Sequence, residues 1–419
     1  MLLRAAGDGT VPRLAVLLFG VGSAKIERVA NERLNPKLLV ALALLAAGGP
    51  FAIDMYLPTL PNIAQDLHTS GAAVQLTLSG FMFGMALGQV AIGPMSDSWG
   101  RRGLLIAGAA VASIASLVCA FAPNIMVLVG ARLVLGIGSG ACVVLSRTVI
   151  ADLATGAAAA KAFSLMMTIQ GLAPVVAPVV GGLLAQPLGW RGLFVILAGI
   201  AVLQLVVALL VVPESHPQER RTSASLREFF AGIAFVLANR GFRGYMVAYA
   251  LGFGGLFSYI SASPFVFQQQ LGVTELGFSA LFALNSLGIM LGSLINSRLV
   301  DRSDPHVLVR TAMLVMFACA VGVLIDALLG PHLYVTAPLL FLALLNLGPI
   351  LGNATALGTG IVRERAGAGS AMMGFAQFVT AGCVSASMGA GSNPALAMGI
   401  GMATCLGLGL VGLGSVRRG

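Results

Sequence analysis

The chain has 419 residues, of which 58% are hydrophobic and only 9% are charged, and its mean hydropathy is +0.96. A soluble globular protein carries about 25% charged residues, and a soluble chain of this length could not bury so much apolar surface. The composition therefore excludes a soluble enzyme or binding domain and places the chain in lipid, where only helices or a closed barrel satisfy the backbone.

Apolar runs long enough to cross a bilayer recur along the chain, and they lack the two-residue alternation of a barrel. A spanning helix needs about 20 such residues. The runs predict an all-α integral membrane protein with twelve helices, at residues 38–60, 72–95, 104–122, 125–147, 160–186, 190–212, 243–268, 277–299, 308–329, 333–358, 367–389 and 394–414.

The basic residues fall on one side of this predicted topology. With the N-terminus in the cytoplasm, all but two of the 24 Lys and Arg residues lie on the cytoplasmic side; Arg191 lies outside and Arg132 lies within a span. An excess of Lys and Arg marks cytoplasmic loops. We therefore expect a multi-pass protein of the bacterial inner membrane with both termini in the cytoplasm, and the net charge of +9 needs no nucleic-acid partner.

A polar stretch, Pro213–Arg240, divides the helices into two groups of six. The second helices of the two groups share a pattern, with Gly84, Gly88 and Asp97 matching Gly288, Gly292 and Asp301. Paired repeats with a site between them are typical of transporters. The predicted domains are an N-terminal cytoplasmic extension (1–36), a first bundle (37–212), a cytoplasmic central loop (213–241), a second bundle (242–415) and a cytoplasmic tail (416–419). The extension contains a short apolar run that resembles a signal peptide but is too short to span.

The segment GPMSDSWGRR, from Gly93 to Arg102, joins the second and third helices. Gly93 and Gly100 permit a tight backbone approach, and Asp97 can accept charge-assisted hydrogen bonds from Arg101, from Arg102 or from a helix N-terminus. We expect a charged clasp that holds one conformation closed. The alternative is a turn that only sets the topology.

Asp54 and Arg132 are the clearest candidates for buried charges in the first half. From the 1.5 Å rise per residue, Arg132 lies about 12 Å deep and Asp54 about 10 Å deep. An intramembrane charge is costly and is a functional hypothesis by default. A carboxylate near an arginine stays ionised, whereas an isolated one takes up a proton, so the pair predicts a proton-coupling device. A structural ion pair, or an interfacial Asp54 without a role, are the alternatives.

The predicted fifth helix carries both helix breakers and small residues, Pro174, Pro178, Gly181 and Gly182. Proline kinks a helix, and glycine allows two helices to pack closely. We expect this helix to seal the interface between the halves, although ordinary packing would use the same residues. Candidate substrate-binding residues are the polar and aromatic side chains within spans, here Tyr56, Gln75, Gln170, Asn285, Asn346, Phe375 and Gln377.

The segment GPMSDSWGRR resembles the loop signature of the major facilitator superfamily. Three further segments, FAIDMYLPTLP at 51–61, ARLVLGIGSGA at 131–141 and GLAPVVAPVVGG at 171–182, resemble motifs of its Bcr/CflA drug-resistance exporters. In the last motif Ala177 stands where the family usually has glycine. The resemblance implies the twelve-helix fold with two pseudo-symmetric bundles and a central cavity, an antiport role for the fifth helix, and a coupling role for Asp54.

The function predicted from these features is proton-coupled antiport that exports small drug-like molecules, phenicols among them, and confers resistance. A transporter for a specific metabolite, such as an amino acid, polyamine or sugar derivative, is the alternative. The partners are the substrate, protons and the lipid bilayer, with the chain acting as a monomer. The five cysteines lie in apolar runs and the four histidines lie in separate loops, so we expect no metal, no cofactor and no enzymatic activity.

Overall fold

The computed structural model describes residues 36–221 and 226–416, and every regular element assigned there is helical. The predicted extension at 1–36 and the tail at 416–419 lie outside the described residues except for one residue each. The long helices, in chain order, are α1 Pro36–Asp54, α2 Gly71–Trp99, α3 Arg101–Ala120, α4 Ile125–Leu153, α5 and α6 within Gly156–Val211, α7 Arg240–Phe265, α8 Glu275–Leu299, α9 Pro305–Leu329, α10 in two pieces Leu333–Leu345 and Leu347–Ile361, α11 Ala366–Ser387 and α12 Pro394–Gly414.

Ten helices in the described ranges are long and apolar enough to cross a membrane. One of them, Lys161–Val211, has 51 residues and contains two spans, because Gly189 adopts φ 62° and ψ 178° and divides α5 from α6. The remaining span is α11, where glycine, serine and Gln377 lower the hydropathy of a 22-residue helix. These twelve spans confirm the predicted all-α membrane fold.

Two helix ends differ from the prediction by six residues, and one helix was not predicted. The fourth helix was expected to end at residue 147 but α4 ends at Leu153. The first helix was expected to reach residue 60 but α1 ends at Asp54, and the chain continues through a 3₁₀ turn, Leu57–Thr59, into a short helix, Leu60–Asp66. Pro58 and Pro61 follow this end closely, and proline cannot continue the hydrogen-bond ladder of a preceding turn. The central segment, predicted as a loop, contains the helix Leu226–Ala238.

Helices before residue 212 pack mainly on one another, and so do helices after residue 240. The two largest interfaces between these groups are formed by α2 with α11 and by α5 with α8. This packing favours the predicted division into two six-helix domains, which we retain as a proposal.

Helix ends lie on two opposite faces of the bundle. We call the face with the ends of α2, α4 and α10, at Trp99, Leu153 and Ile361, the basic face, since Arg101, Arg102 and the turn Arg363–Arg365 lie there. The other, which contains the Leu60–Asp66 helix, is the opposite face.

Three of the four glycines of the repeated pattern lie where two helix backbones approach each other closely. A Cβ atom on Gly84 or Gly88 would come too close to a backbone carbonyl oxygen of α4, and one on Gly292, the counterpart of Gly88, would overlap the carbonyl oxygen of Leu345 in α10. Small residues permit such backbone contact between helices in lipid. The repeat therefore encodes one packing contact, used once in each group.

Replacing Gly84 by valine should lower the thermal stability of the detergent-solubilised protein. Overpacking of a close contact costs about 1–3 kcal/mol, because α2 and α4 would have to separate. Gly130→Val on α4 is the matched control, since a Cβ there meets nothing within 4 Å. Equal melting temperatures for the two variants would contradict this assignment.

Candidate functional site

A cavity of about 440 Å³ lies between the two groups of helices. Its wall is mostly apolar, with residues such as Ile53, Met85, Phe253 and Phe282, and its polar groups are few. Small-molecule sites have this composition, because apolar walls supply the burial and a few polar groups fix the orientation.

Asp54 lines this cavity from the C-terminal end of α1 and is 4% exposed. Within the described ranges its carboxylate has no ion-pair partner within 4.0 Å and no hydrogen bond. A helix C-terminus carries partial negative charge, so the end of α1 does not compensate a carboxylate. Asp54 is thus an acidic group whose environment offers its charge no support.

Arg132 lies at the level of the end of α1 but does not pair with Asp54. Its side chain is completely buried, Nη1 donates to the carbonyl oxygen of Ala52 over 2.7 Å, and Nε donates to the carbonyl oxygen of Thr77 over 3.4 Å. The guanidinium carbon lies 4.4 Å from the ring centroids of both Tyr56 and Phe81. Cation–π contact of this kind stabilises a desolvated arginine.

This geometry changes the interpretation of Arg132. Asp54 and Arg132, which were predicted to act as a pair, lie near each other but form no ion pair. Only Asp54 lines the cavity. Ala52 has one of the last carbonyl groups of α1, which lack partners within the helix, so Arg132 caps the helix that presents Asp54. The Nη2 atom of Arg132 is buried and has no hydrogen-bond partner.

Three of the predicted pocket residues line the cavity and form hydrogen bonds at its wall. Gln170 donates to the carbonyl oxygen of Ala46 over 3.0 Å. Asn285 donates to the hydroxyl of Tyr259 over 2.9 Å, and Gln377 accepts from Tyr249 over 2.6 Å. These bonds orient the amides at the cavity wall.

The structure places the other four predicted pocket residues outside the cavity lining, and each has a packing role instead. The Tyr56 hydroxyl bonds to Thr77 over 2.9 Å beneath Arg132. Gln75 on α2 donates to the carbonyl oxygen of Ser261 on α7 over 3.0 Å and so connects the two groups. Asn346 donates to the carbonyl oxygen of Leu342 at the break in α10, and Phe375 packs on the apolar core.

The cavity also contains residues that were not among the predicted pocket residues, including Gln89, Arg147, Tyr249 and Tyr259. A signal existed for Arg147, because it is a lone cation in the apolar run that ends α4. The charge pattern only counts Arg147 among the cytoplasmic basic residues, since no pattern shows which side of a helix end faces an internal space.

The predicted clasp forms on the basic face and is centred on Arg101. This guanidinium pairs with Asp97 at 2.7 Å and with Asp152 at 3.2 Å, and it also contacts the Ser96 hydroxyl. The clasp joins the ends of α2 and α4 to the start of α3. Gly100, at φ 94°, makes the turn before Arg101, a conformation that favours glycine.

The clasp has an additional acidic member, Glu214, from the segment after α6. Its Oε1 accepts from the amide of Arg101 at 2.9 Å and its Oε2 from the amide of Arg102 at 3.3 Å. The Arg102 guanidinium donates to the carbonyl oxygen of Leu209 at 2.8 Å. Glu214 therefore caps α3, because a carboxylate satisfies amides at a helix N-terminus.

The fifth helix packs against both neighbours as its glycines predict. A Cβ on Gly181 would overlap the carbonyl oxygen of Met55, and one on Gly182 would overlap the hydroxyl of Ser279 on α8. The carbonyl oxygen of Pro174, within α5, accepts from Ser286 on α8 over 3.1 Å. Pro178 lies between these contacts on α5.

Gly93, on α2, lines a second cavity at the basic face.

The cavity is closed towards the opposite face by hydrogen bonds between the two groups. Asn62 donates to Glu275 over 2.7 Å, and Gln268 donates to the carbonyl oxygen of Pro58 over 2.9 Å. On the other side, Gln89, Arg147 and Ser370 line both the central cavity and the second cavity, about 780 Å³ in volume, at the basic face. In this conformation the site therefore adjoins the basic face.

The sequence pattern of the Major Facilitator Superfamily matches residues 42–390. The chain belongs to this superfamily. Similar chains include an uncharacterized MFS-type transporter YdgK of Bacillus subtilis, 36% identical over 88% of this chain and 92% of the relative. A multidrug resistance protein MdtL of Vibrio parahaemolyticus is 32% identical over 78% of this chain and 82% of the relative. A bicyclomycin resistance protein homolog of Haemophilus influenzae is 31% identical over 70% of this chain and 73% of the relative. These relatives confirm the resemblance to drug-resistance members of the superfamily.

Solved transporters share the fold. A bacterial homolog of the lysosomal transporter Spinster, in an inward-facing and unoccupied conformation, has a TM-score of 0.69 at 18% identity and covers 90% of this chain and 95% of its own. The nucleoside transporter NupG has a TM-score of 0.70 at 14% identity, and the match covers 90% of this chain and 98% of the NupG chain. At these identities the likeness shows the fold, and the chain is a transporter by family.

Replacing Glu214 by glutamine should weaken the clasp at neutral pH. Burial raises the pKa of the Glu214 carboxyl, but hydrogen bonds from the amides of Arg101, His216 and Arg102, together with the charge of Arg221, bring that pKa below its ordinary value. Such a group stabilises the folded state above its unfolded pKa, and the contribution is lost as pH falls through the folded pKa.

Melting temperatures of wild type and Glu214→Gln in detergent should therefore differ at pH 7 and converge as pH falls below about 4. Glu219→Gln, an exposed residue nearby, is the control. A difference that persisted unchanged at low pH would contradict the charged-cap assignment.

Proposed function

We propose that the protein is a proton-coupled antiporter that exports small drug-like molecules across the bacterial inner membrane. The observation that carries this proposal is Asp54, a carboxylate that lines the central cavity without a partner in the described chain. An intramembrane charge without compensation is expensive. Binding a proton removes that cost, and so does a cationic or hydrogen-bond-donating group of a substrate.

Competition for one carboxylate is enough to couple two fluxes. If a substrate group and a proton stabilise Asp54 in mutually exclusive ways, each displaces the other from the same cavity. Alternating exposure of the cavity to the two sides of the membrane then exchanges substrate for proton. Arg132 supports this role as a positioning residue, because it holds the end of α1 through the carbonyl oxygen of Ala52.

The cavity suits compact, partly apolar molecules. Aromatic walls such as Phe253, Phe257 and Phe378 offer stacking surfaces, while Gln170, Asn285 and Gln377 offer amide groups. Relatives named as multidrug or bicyclomycin resistance proteins support a drug-like substrate class, and phenicols fit it by size and polarity.

We place the basic face in the cytoplasm. Arginines concentrate there, at Arg101, Arg102, Arg363 and Arg365, and an excess of basic residues marks the cytoplasmic side. The conformation described would then receive substrate from inside the cell and release it after the contacts on the opposite face, such as Asn62 with Glu275, have opened.

A transporter for one charged metabolite is the second candidate. The observation that favours it is Arg147, which lines the cavity and could bind an acidic group. A metabolite carrier would transport one compound and would leave unrelated drugs untouched.

The test is drug transport with Asp54→Asn in inverted vesicles of a pump-deficient host. The asparagine keeps the shape of the side chain but cannot exchange a proton, so uptake driven by a proton gradient should fall at least about 100-fold, to the background of vesicles without the protein. Fluorescence-detected size-exclusion chromatography checks that the variant inserts and folds.

Asp326→Asn is the matched control, since Asp326 is the other buried aspartate of the described chain and lies outside the cavity lining. It should retain proton-driven uptake. Full activity of Asp54→Asn would overturn the coupling role. Uptake of one metabolite and of no drug in a panel of phenicols, quinolones and dyes would favour the second candidate.

A further inference from the structure

Arg147 lies where the central cavity joins the cavity at the basic face, and it lines both. It belongs to the last part of α4, Ile125–Leu153, and its side chain is exposed to this internal space. Its side chain therefore lines the connection between the basic face and the cavity that contains Asp54.

The charge of Arg147 is not neutralised by the protein in this conformation. Within the described ranges no carboxylate oxygen lies within 4.0 Å of it, whereas Arg101 on the same face has two carboxylate partners. The lining residues that accompany it where the cavities meet are neutral, Gln89 and Ser370, and Tyr249 and Gln377 line the central cavity nearby. An uncompensated arginine in such a place can bind an anionic group of a ligand.

The spacing between Arg147 and Asp54 can be read from the helices that present them. Gly49 of α1 faces Val143 of α4. Asp54 lies five residues beyond this contact in one direction and Arg147 four residues beyond it in the other, so the two Cα atoms are separated by about 14 Å along the bundle axis at 1.5 Å per residue. Both side chains line the same cavity, so one small molecule bound there can contact both groups.

The cavity thus has an acidic group towards one end and a basic group towards the other, and its wall is mostly apolar. Arginine presents a planar fork of donors that binds a carboxylate through two parallel hydrogen bonds. Asp54, in contrast, accepts from a protonated amine or a hydroxyl group. The walls between them, including Phe253 and Phe257, suit an aromatic ring system.

We propose that Arg147 binds the carboxylate of exported molecules, so that the preferred substrates are compact zwitterions with a carboxylate at one end, a basic amine at the other and an apolar body between. This inference rests on the proposed export function and specifies its substrate class. The carboxylate points towards the basic face and the amine towards Asp54, where it competes with the proton.

The test is equilibrium binding to the purified protein in detergent, with no membrane or proton gradient. The probes are norfloxacin, which has a carboxylate and a piperazine amine, and its methyl ester, which keeps the ring system and amine but lacks the anion. Wild type should bind the acid at least about tenfold more tightly than the ester, because the ester cannot form the hydrogen-bonded ion pair with Arg147.

Arg147→Gln should weaken binding of the acid at least about tenfold and leave binding of the ester within about twofold. Arg147→Lys keeps the charge without the fork and should give an intermediate affinity. Arg298→Gln, at the last turn of α8 and outside both cavities, should match wild type for both probes.

If Arg147→Gln lowers the affinity for the acid and for the ester equally, the residue has a structural or gating role and the proposal is overturned. The proposal is also overturned if the variant keeps the wild-type affinity for both probes, or if wild type does not bind the acid. These outcomes are independent of proton coupling. A variant Asp54→Asn that still exports would overturn the antiport mechanism while leaving the preference for the acid over the ester intact.

Discussion

In a helical bundle surrounded by lipid, a charged side chain inside the bundle is costly unless something compensates its charge, and this cost separates the charged groups of the structure into two kinds. Arg132 is compensated by carbonyl oxygens and by the faces of Tyr56 and Phe81. Arg101 is compensated by two carboxylates. Asp54 and Arg147 have no such partner in the described chain, and both line the cavity. Groups with compensation hold the fold together, and groups without it are left for ligands.

The twelve spans could be predicted because hydropathy and proline placement are local properties of the sequence. The end of α1 could not be predicted to the residue, since apolar residues continue past Asp54 and only the tertiary fold decides where the helix stops. The helix Leu226–Ala238 was missed because its 13 residues are too few to be recognised as a membrane span, and it lies in a segment that is otherwise polar.

At the site, the sequence identifies which residues are costly to bury but not which direction they face. Asp54 and Arg132 were both recognisable as buried charges, yet only Arg132 is compensated in the described structure, because it reaches a backbone carbonyl oxygen rather than the Asp54 carboxylate. Gln75 and Gln377 looked equivalent as polar residues in spans. Only the packing of α2 against α7 makes Gln75 a contact between helices, while Gln377 lines the cavity.

Gly181 and Gly182 place α5 between the segment that carries Asp54 and the second group of helices. Gly181 meets the carbonyl of Met55, the residue after Asp54, and Gly182 meets Ser279 on α8. Two consecutive residues of α5 are thus in close contact with Met55 on one side and with α8 on the other, and no room is left at either contact. A shift of the backbone at residue 55 must be taken up by movement of α5 or α8, so that a local event at a single carboxyl group has a direct steric route to the other half of the molecule.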